Sequence, residues 1–380
     1  MTMPDVPADD FAHFARLMRL VASQTRDAAS QVTLLFVTNL YQGELADLGP
    51  DGILNTAQHY TRRQADEMIR SFQELGVTVE AFFDERSFLR AVVDREPPRS
   101  GRHEIVFTTA EGGSGSGRRA LIPAACNLLE LPVLNSGAHA CSLARHKFHA
   151  NAVLKQVGVR VPDAWHFKDG DWVGSHAPPR GARVIIKPTY ESMCIGIDDD
   201  SVLIVDADFA DFVRERHRRF GQSLLVQEFV SGAEVGVPLI RLGATYALPP
   251  IAFLRANGEP YGTRPKTFDD ENLQHDVSHA LYEPPHAQLR ALREAAVLAF
   301  DTLEMSGVGR IDFRVDADGR AWLFDTSESP PPVDGTAYAM AMKSIGLSLA
   351  DMPAVWLGAC LLEAGLISGV APEGQFAARD

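Results

Sequence analysis

Apolar runs that alternate with amphipathic stretches constrain the fold of the first part of the chain. The run VTLLFVT covers 32–38 and the run EIVFTT covers 104–109, with helical patterns over 56–75 and 118–129. A continuous apolar run is typical of a strand that is covered on both faces. Because strands alternate with helices, we predict an α/β unit built on a parallel sheet.

An amphipathic pattern precedes that unit. Behind the capping aspartates Asp9 and Asp10, five apolar residues recur at helical spacing: Phe11, Phe14, Leu17, Met18 and Val21. They predict an N-terminal helix over 9–27. Further along, 140–157 has the pattern of one continuous helix, whereas the polar, Gly- and Pro-rich stretch 256–277 predicts a long loop.

The overall composition excludes several classes of protein. The net charge is −14, and an acidic chain without clustered Lys and Arg is not expected to bind nucleic-acid backbones. The four cysteines form no CxxC pair, which is typical of a reducing cytosol. There is no secretory signal, and no apolar run reaches the ~18–20 residues that cross a membrane. We therefore expect a cytoplasmic protein without a membrane partner.

The segment 310–330, RIDFRVDADGRAWLFDTSESP, predicts a β-hairpin around the turn ADG. Such a hairpin can bring Asp312 opposite Asp325 on one face. Two adjacent carboxylates repel each other unless a cation lies between them, and Mg²⁺ takes one or two carboxylates together with phosphate oxygens and water. The alternative is a solvated polar face on which Arg310 and Arg314 neutralise the aspartates. The pattern leaves both interpretations open.

Two other segments carry polar residues at strand ends. Lys187 ends the apolar run RVIIKP, where it could bind a phosphate, and the following loop can bend at Gly196 to bring backbone N–H groups near phosphates. In VQEFVSGAEV, Gln227, Glu228 and Glu234 could bind an adenine amino group and ribose hydroxyls. The alternatives are an exposed strand-end lysine and solvated loop acids.

Other signals favour less specific interpretations. The GxGxxA pattern at 115–120 resembles a dinucleotide fingerprint, but no acidic residue closes the next strand at the expected distance. A flexible substrate-side loop is the better interpretation of these glycines. Cys194 has no assigned histidine partner that would make it a nucleophile. His139, His146 and His149 share a helix face by spacing, which alone does not establish a zinc site.

Six segments follow one another along the chain. They are HEIVFTTAEGG with the helix and LNSG behind it, LARHKFHANAVLKQVGVRVPDAW, VIIKPTYESMCIGI, VQEFVSGAEV, GEPYGTRPKTF and GVGRIDFRVDADGRAWLFDTSESPPP. In this order, from about residue 104 to about residue 350, they resemble the ATP-grasp superfamily and, within it, the D-alanine–D-alanine ligase branch.

The resemblance implies an α/β ATP-grasp fold, in which a parallel-sheet N-terminal domain precedes two α+β subdomains that clasp ATP. It implies four parts of the chain, namely a helical extension at 1–30, the N-terminal α/β domain at 31–138, the central ATP-grasp subdomain at 139–230 and the C-terminal ATP-grasp subdomain, with the metal and catalytic residues, at 231–380.

The resemblance also implies which residues bind the nucleotide. Two lysines would hold the phosphates, three residues would line the adenine, one carboxylate would take the ribose, and a lysine of the mobile loop would close over the γ-phosphate. In that order they are Lys147 and Lys187; Gln227, Glu228 and Val230; Glu234; and Lys266.

The remaining implied roles concern metal, catalysis and substrate. The catalytic residues would be Arg310, which stabilises the transferred phosphate, and Lys266. The Mg²⁺ (or Mn²⁺) ligands would be Asp312, Asp325 and Ser327. Thr336 falls where the family contacts the acceptor's carboxylate. Further substrate-side positions would be Cys194, Glu111 and Gly112.

Several positions depart from the family pattern. Asp325-Thr326-Ser327 replaces Glu-x-Asn, and a serine is a poorer magnesium ligand than an asparagine carbonyl. Either one metal would bind weakly, or Glu328 or a water would compensate. On the substrate side, Ser192-Met193-Cys194 replaces a Gly-Ser-Ser segment and Ala110-Glu111 replaces His-Gly. These changes imply a ligase with substrates other than those of a cell-wall D-alanine–D-alanine ligase.

The implied function is an ATP- and Mg²⁺-dependent ligase that joins a carboxylate to an amine through an acyl phosphate. Its partners would be small-molecule carboxylate and amine substrates of a biosynthetic pathway, and the family suggests a homodimer. Two alternatives stay open: an ATP-grasp ligase that charges a carrier thiol or an alcohol, and a non-catalytic nucleotide-binding protein.

Overall fold

Ten α-helices lie in the part of the chain that the computed structural model describes, which comprises residues 11–41, 59–95, 101–113, 115–274 and 276–368. In chain order they are α1 Phe11–Ala28, α2 Arg62–Gln73, α3 Glu85–Val92, α4 Leu121–Leu128, α5 Ala138–Arg145, α6 Lys147–Gln156, α7 Phe209–Phe220, α8 His286–Thr302, α9 Ala337–Ser344 and α10 Met352–Glu363. They pack on three sheets.

The first sheet is parallel, with the order β4–β1–β5. Its strands, and those of a two-stranded ribbon formed by β2 and β3, are β1 Val32–Val37, β2 Leu40–Tyr41, β3 Tyr60–Thr61, β4 Thr78–Phe82 and β5 His103–Thr108. Leu34 and Phe36 pack with α1 and α2, whereas Leu35 and Val37 pack with α3 and α4. The central strand is thus covered on both faces, and the predicted parallel sheet is confirmed.

The second sheet is antiparallel, with the order β7–β6–β10–β8–β9. Its strands are β6 Ala164–Lys168, β7 Asp171–Trp172, β8 Arg183–Pro188, β9 Val202–Ile204 and β10 Leu224–Glu228. Phe209, Val213 and Phe220 of α7 form a core cluster with the apolar residues of β8 and β10.

The third sheet is also antiparallel, with the order β14–β13–β11–β15–β16 and β12 beside β11. Its strands are β11 Ala233–Leu242, β12 Ala244–Ala247, β13 Ile251–Arg255, β14 Val277–Leu281, β15 Val308–Val315 and β16 Ala321–Ser327. One face packs on α8, through Ile311 and Phe313 among others. The alternate residues of β15, among them Asp312, point to the opposite face.

The N-terminal helix is packed into the core. Met18 and Val21 of α1 are almost fully buried in the same cluster as Trp356 of α10, and the ring of Phe14 meets that of Tyr246 edge-on at 5.1 Å. The capping residues predicted for this helix lie outside the described residues. The division of the chain into a helical extension at 1–30 and the three parts that follow it remains a prediction.

The predicted helix over 140–157 is wrong in one respect, because the chain breaks it at His146. This residue has φ −86° and ψ 83°, and its Nδ1 accepts a hydrogen bond from the backbone N–H of His149 at 3.3 Å. It therefore ends α5 and caps α6. The rings of His146 and His149 stack with their centres 3.5 Å apart. His139 belongs to the helix before the break, so the three histidines do not share one helix face.

The predicted loop over 256–277 contains one helical turn, Asp269–Leu273, and ends where β14 begins. The loop lies against the segment that follows β8, because the backbone N–H of Phe268 donates to the carbonyl of Ile197 at 2.9 Å. Tertiary contacts, which the local pattern does not reveal, order this stretch.

No single helix of the described ranges is both long and apolar enough to cross a membrane. The stretches Ala337–Ser344 and Leu349–Glu363 reach the required length and hydropathy only together, and the chain bends by 108° between them.

The contact between α1 and α10 predicts the effect of one substitution. A methyl group at Gly358 would meet the side chains of Val21 and Thr25. We expect Gly358→Ala to lower the free energy of unfolding by about 1–3 kcal/mol, the typical cost of overpacking a core. Gly137→Ala is the matched control, since Gly137 has φ −70° and open space around it. Urea denaturation measures both, and equal stabilities would contradict the packed position of α1.

Candidate functional site

A β-bulge in the hairpin β15–β16 places the two predicted aspartates side by side. Asp312 pairs with Asp325, but the next residue, Phe313, pairs with Leu323, so Phe324 is an extra residue. Strict alternation would put Asp325 on the same face as Leu323, which is buried in the core. The bulge turns Asp325 to the face of Asp312 while Leu323 stays inside, as bulges near functional sites often do.

The aspartates face a cleft between the second and third sheets, with a cavity volume of about 380 Å³. Fourteen of the predicted site residues line it: Glu111, Lys147, Lys187, Cys194, Gln227, Glu228, Val230, Glu234, Lys266, Arg310, Asp312, Asp325, Ser327 and Thr336. Gly112 does not. Its backbone N–H donates to Glu85 at 2.5 Å, and a Cβ there would collide with the same carboxylate.

Both aspartates have cationic partners. Arg310 donates two hydrogen bonds to Asp312, at 2.7 and 2.8 Å, and the Nζ of Lys147 donates to Asp325 at 2.5 Å. Burial opposes ionisation of Asp325, but Lys147 and Lys187 outweigh it and lower the pKa of this carboxyl group. The alternative of a solvated face is wrong, since Asp312 is only 7% exposed.

Of the two arginines expected to neutralise the aspartates, only Arg310 does so. Arg310 does pair with Asp312, but the guanidinium of Arg314 donates to Glu234 at 3.2 Å instead. Arg314 and Glu234 are 5% exposed each. The polar face of β15 is therefore a row of buried ion pairs that border the cleft.

Lys187 lies at the floor of the cleft. Its Nζ donates to the carbonyl oxygen of the bulge residue Phe324 at 3.1 Å and lies 5.3 Å from the centre of the phenyl ring of the same residue. Burial of the ammonium group, which outweighs the nearby Asp325, lowers the pKa of Lys187 to about 8. The alternative of an exposed strand-end lysine is wrong, since the residue is 4% exposed. Because burial destabilises the charged form of this ammonium group, a bound anion would stabilise it.

The loop behind β8 bends where the sequence indicates. Gly196 has φ +77°, and a Cβ there would meet the ring of Pro188 at 2.6 Å. Cys194, two residues earlier, also adopts a left-handed conformation, with φ +58°. Burial raises the pKa of its thiol to about 12, which keeps it protonated and unsuited to nucleophilic attack.

One part of the cleft is apolar with a polar edge. Its walls include Ile185, Ile195 and Phe229. Gln227 is 1% exposed, and its Nε2 has no hydrogen-bond partner among the described residues. A buried amide without a partner is costly, so this edge fits a flat ligand with its own hydrogen-bonding groups.

Lys266 reaches the cleft from the loop between β13 and β14. Its Nζ lies 2.7 Å from Glu271 and 4.0 Å from Glu234. Burial alone would lower the pKa of Lys266, but Glu271 and the other acidic groups around it raise it above its usual value. The lysine is thus a permanent cation at the cleft wall.

Two arginines at the opposite end of the cleft, Arg119 and Arg145, were not found from the sequence, whereas their partners Glu111 and Glu328 were. Arg119 donates from Nε to Glu328 at 3.0 Å, and Arg145 donates to Glu111. All four are less than 10% exposed and line the cleft. The only signal was the Arg118-Arg119 pair that follows the glycine loop, and charge alone does not show which arginine lines the cleft.

Thr336 has a structural role in the described conformation. Its hydroxyl donates to the carbonyl of Val333 at 3.0 Å and accepts from the backbone N–H of Ala339 at 3.1 Å, which caps α9. The hydroxyl hydrogen is therefore already used. Contact with a substrate carboxylate at this position remains a prediction.

The oxygen atoms at the hairpin fit a magnesium ion that arrives with a nucleotide. Asp312, Asp325 and Ser327 offer hard oxygen ligands on one face. No cluster of three or more metal-ligating His, Cys, Asp or Glu side chains occurs among the described residues. Mg²⁺ needs only one or two carboxylates when phosphates and water complete its shell. Glu328 does not complete it here, since it pairs with Arg119.

The sequence of this chain is similar to those of known ligases. A family model described as D-ala D-ala ligase C-terminus matches residues 153–355. A D-alanine–D-alanine ligase of Bordetella petrii is 31% identical over 239 residues, which are 62% of this chain and 70% of the relative. That of Bordetella pertussis is 29% identical over 252 residues, 66% and 76% of the two chains.

Solved structures are similar over nearly their whole length. The D-alanine–D-alanine ligase from Bacillus anthracis complexed with ATP has a TM-score of 0.64 at 13% identity and covers 88% of this chain and 99% of its own. The VanG D-Ala:D-Ser ligase from Enterococcus faecalis has a TM-score of 0.58 at 18% identity, with 87% and 99% covered. The predicted α/β ATP-grasp fold is confirmed.

Proposed function

We propose that the reaction of this chain, which belongs to the D-alanine–D-alanine ligase family, takes place in the cleft between the second and third sheets. The chain is an ATP-dependent ligase that forms amide bonds between amino-acid substrates in biosynthesis. The observation that carries this proposal is the pairing of Lys147 and Lys187 with the acidic hairpin, because it places two buried cations beside two carboxylates.

The proposed reaction has two steps. A carboxylate oxygen attacks the γ-phosphorus of ATP, the bond to the β-phosphate oxygen breaks, and ADP leaves with an acyl phosphate as the product. The nitrogen of an amine then attacks the acyl carbon, the bond to the phosphate oxygen breaks, and the amine loses a proton. Negative charge accumulates at the phosphoryl oxygens in both steps, so fixed cations lower the barrier.

We assign the nucleotide to the side of Gln227. The adenine would lie against Val230 and the apolar wall, with Gln227 and Glu228 at its edge, and Glu234 would take the ribose. The unpartnered amide of Gln227 supports this assignment. The triphosphate would then extend towards the two lysines at the hairpin, Lys147 and Lys187.

Asp312, Asp325 and Ser327 would hold Mg²⁺, or Mn²⁺, against the phosphates. When bound, the ion supplies positive charge that offsets the charge of the phosphoryl oxygens. Arg310 donates two hydrogen bonds to Asp312. These bonds fix the guanidinium of Arg310 beside the proposed phosphoryl position. Lys266 would complete the cationic wall and exclude water from the acyl phosphate.

We propose small molecules for both substrates, with an amino-acid-like acyl donor. Cys194 and Glu111 line the cleft and are candidates for substrate contact, whereas Gly112 is not part of that lining. The cytoplasmic location and the homodimer remain predictions. Alternatives to the amine acceptor, a carrier thiol or an alcohol, share the first step and are distinguished only by the second.

A screen for ADP release tests the proposed function. ATP, Mg²⁺ and a panel of D- and L-amino acids and small acids, with hydroxylamine as a trap, should give ADP and a hydroxamate with at least one donor, and D-alanine is the first to try. Replacing hydroxylamine by amines, pantetheine or D-lactate then identifies the acceptor class. ATP binding without ADP from any donor would favour a non-catalytic protein.

Substitutions at the hairpin and the cleft floor should remove that activity. We expect Lys187→Ala and Asp312→Asn each to reduce ADP formation at least about a hundredfold, since Lys187 would offset negative charge at the phosphoryl oxygens and Asp312 would hold the metal ion that does the same. Lys155→Ala and Asp163→Asn are matched controls, because these two residues form an exposed ion pair, 59% and 64% accessible. Full activity of Lys187→Ala or of Asp312→Asn would contradict the site assignment.

The lowered pKa of Lys187 predicts how nucleotide binding depends on pH. Below pH 8 the free protein carries the ammonium that a triphosphate needs, whereas above it Lys187 is neutral and must take up a proton on binding. The affinity for ATP should therefore be level up to about pH 8 and fall above it by up to about tenfold for each pH unit.

Titration calorimetry between pH 6.5 and 9.5, in two buffers of different ionisation enthalpy, measures both the affinity and the proton uptake. Lys187→Gln should bind more weakly and lose this decline. An unchanged decline in Lys187→Gln would assign it to another group.

A further inference from the structure

A buried network of charges closes the end of the cleft that the proposed nucleotide does not occupy. Three arginines and three glutamates take part, each less than 10% exposed: Arg118, Arg119, Arg145, Glu111, Glu191 and Glu328. Their formal charges cancel, as a buried network requires. The arginines come from the segment after the glycine loop and from α5, and Glu328 follows β16.

The glutamates of this network already accept hydrogen bonds from the arginines. Glu328 accepts from Arg119 through Oε1, which also lies 3.9 Å from Arg145. Glu111 accepts from Arg145 through Oε1. Its Oε2 has no hydrogen-bond partner among the described residues, but it is sealed from solvent and lies 3.8 Å from the Nε of Arg118. An ammonium group of a substrate would have to compete with arginines for these oxygens, so the network is poorly suited to bind a cation.

Arg119 has donor capacity left. Its Nε is bonded to Glu328, and its Nη1 lies 3.4 Å from Glu111. Its Nη2 makes no hydrogen bond with the described residues. Because Arg119 lines the cleft, this part of the guanidinium is available to a ligand.

The neighbouring arginine provides a contrast. Arg118 donates from Nη2 to Glu191 at 2.8 Å, and Glu191 is also held by Gln222 at 2.7 Å. Arg118 is as buried as Arg119, with 8% and 6% exposed, but it does not line the cleft. Two adjacent residues of the same type thus differ only in the direction of their side chains.

We propose that Arg119 binds a carboxylate of the substrate other than the one that ATP activates, and so restricts the ligase to substrates that carry a second anionic group. The proposal rests on the proposed function for the location of the reacting groups. A guanidinium fixed on one side by Glu328 presents its remaining N–H groups in the planar geometry that carboxylates match.

Two sources of that carboxylate are compatible with this chemistry. It is either the free carboxylate of an amino-acid acceptor or the second carboxylate of a dicarboxylic donor. In the amide of each compound one carboxylate is replaced by an uncharged group of nearly the same shape. Comparing each acid with its amide therefore isolates the interaction.

Binding without turnover provides the test. The protein is saturated with Mg²⁺ and a non-hydrolysable ATP analogue and titrated calorimetrically with two pairs of probes, D-alanine against D-alaninamide and succinate against succinamate. We expect the acid of at least one pair to bind on the order of ten- to hundredfold more tightly than its amide. In Arg119→Met this preference should disappear, whereas Arg118→Met should keep it.

A second variant separates binding from folding. Arg119→Met leaves Glu328 with fewer partners, so Arg119→Met/Glu328→Gln removes the uncompensated charge, and thermal unfolding shows whether both variants are folded. A preference for the acid that persists in these variants overturns the proposal, as does wild-type protein that binds no acid or binds acid and amide equally. Preference for the acid without ADP release from any donor would leave this inference standing and reject the proposed reaction.

Discussion

The pairing of buried lysines with the acidic hairpin is the interaction on which the cleft depends. Lys147 of α6 bonds to Asp325, and Lys187 of β8 bonds to the carbonyl of Phe324. Both bonds cross from the central part of the chain to the third sheet, so they join the two walls at the floor of the cleft. Loss of one partner of a buried ion pair typically costs about 3–5 kcal/mol, because the other charge stays buried. The same cations therefore hold the two walls together, and they are the residues that we propose bind the phosphates.

The sequence predicted much of this arrangement, but not the feature that makes it work. The alternation in β15 correctly separated Ile311 and Phe313 from Asp312. In β16 the same rule assigned Asp325 to the face of Leu323, and only the extra residue Phe324 reconciles that pattern with the observed pair. A bulge depends on contacts with other strands and helices, which a local pattern does not contain. The break at His146, which ends α5 one residue before Lys147, has the same kind of origin.

The two ends of the cleft differ in how far a single sequence could describe them. At the phosphate end, Lys187 and Asp325 lie near the ends of recognisable strands, and the ordered motifs indicated their neighbours. At the other end, Arg119, Arg145 and Glu328 meet from three separate segments. Their meeting is a property of the tertiary fold. Glu328 in particular, expected to help the metal, instead lies against Arg119 and Arg145, so the metal ligands that we propose are Asp312, Asp325 and Ser327 without it.

The central claim is that the aspartates of the hairpin hold a divalent ion only together with a nucleotide. Electron paramagnetic resonance of Mn²⁺ tests it most directly, with the protein alone, with a non-hydrolysable ATP analogue added, and with Asp312→Asn/Asp325→Asn under both conditions. We expect weak Mn²⁺ binding by the protein alone, since Arg310 and Lys147 neutralise the carboxylates, and tight binding once the nucleotide is present, which the double variant loses. Equal Mn²⁺ binding by the wild type and the double variant in the presence of the nucleotide would contradict the claim.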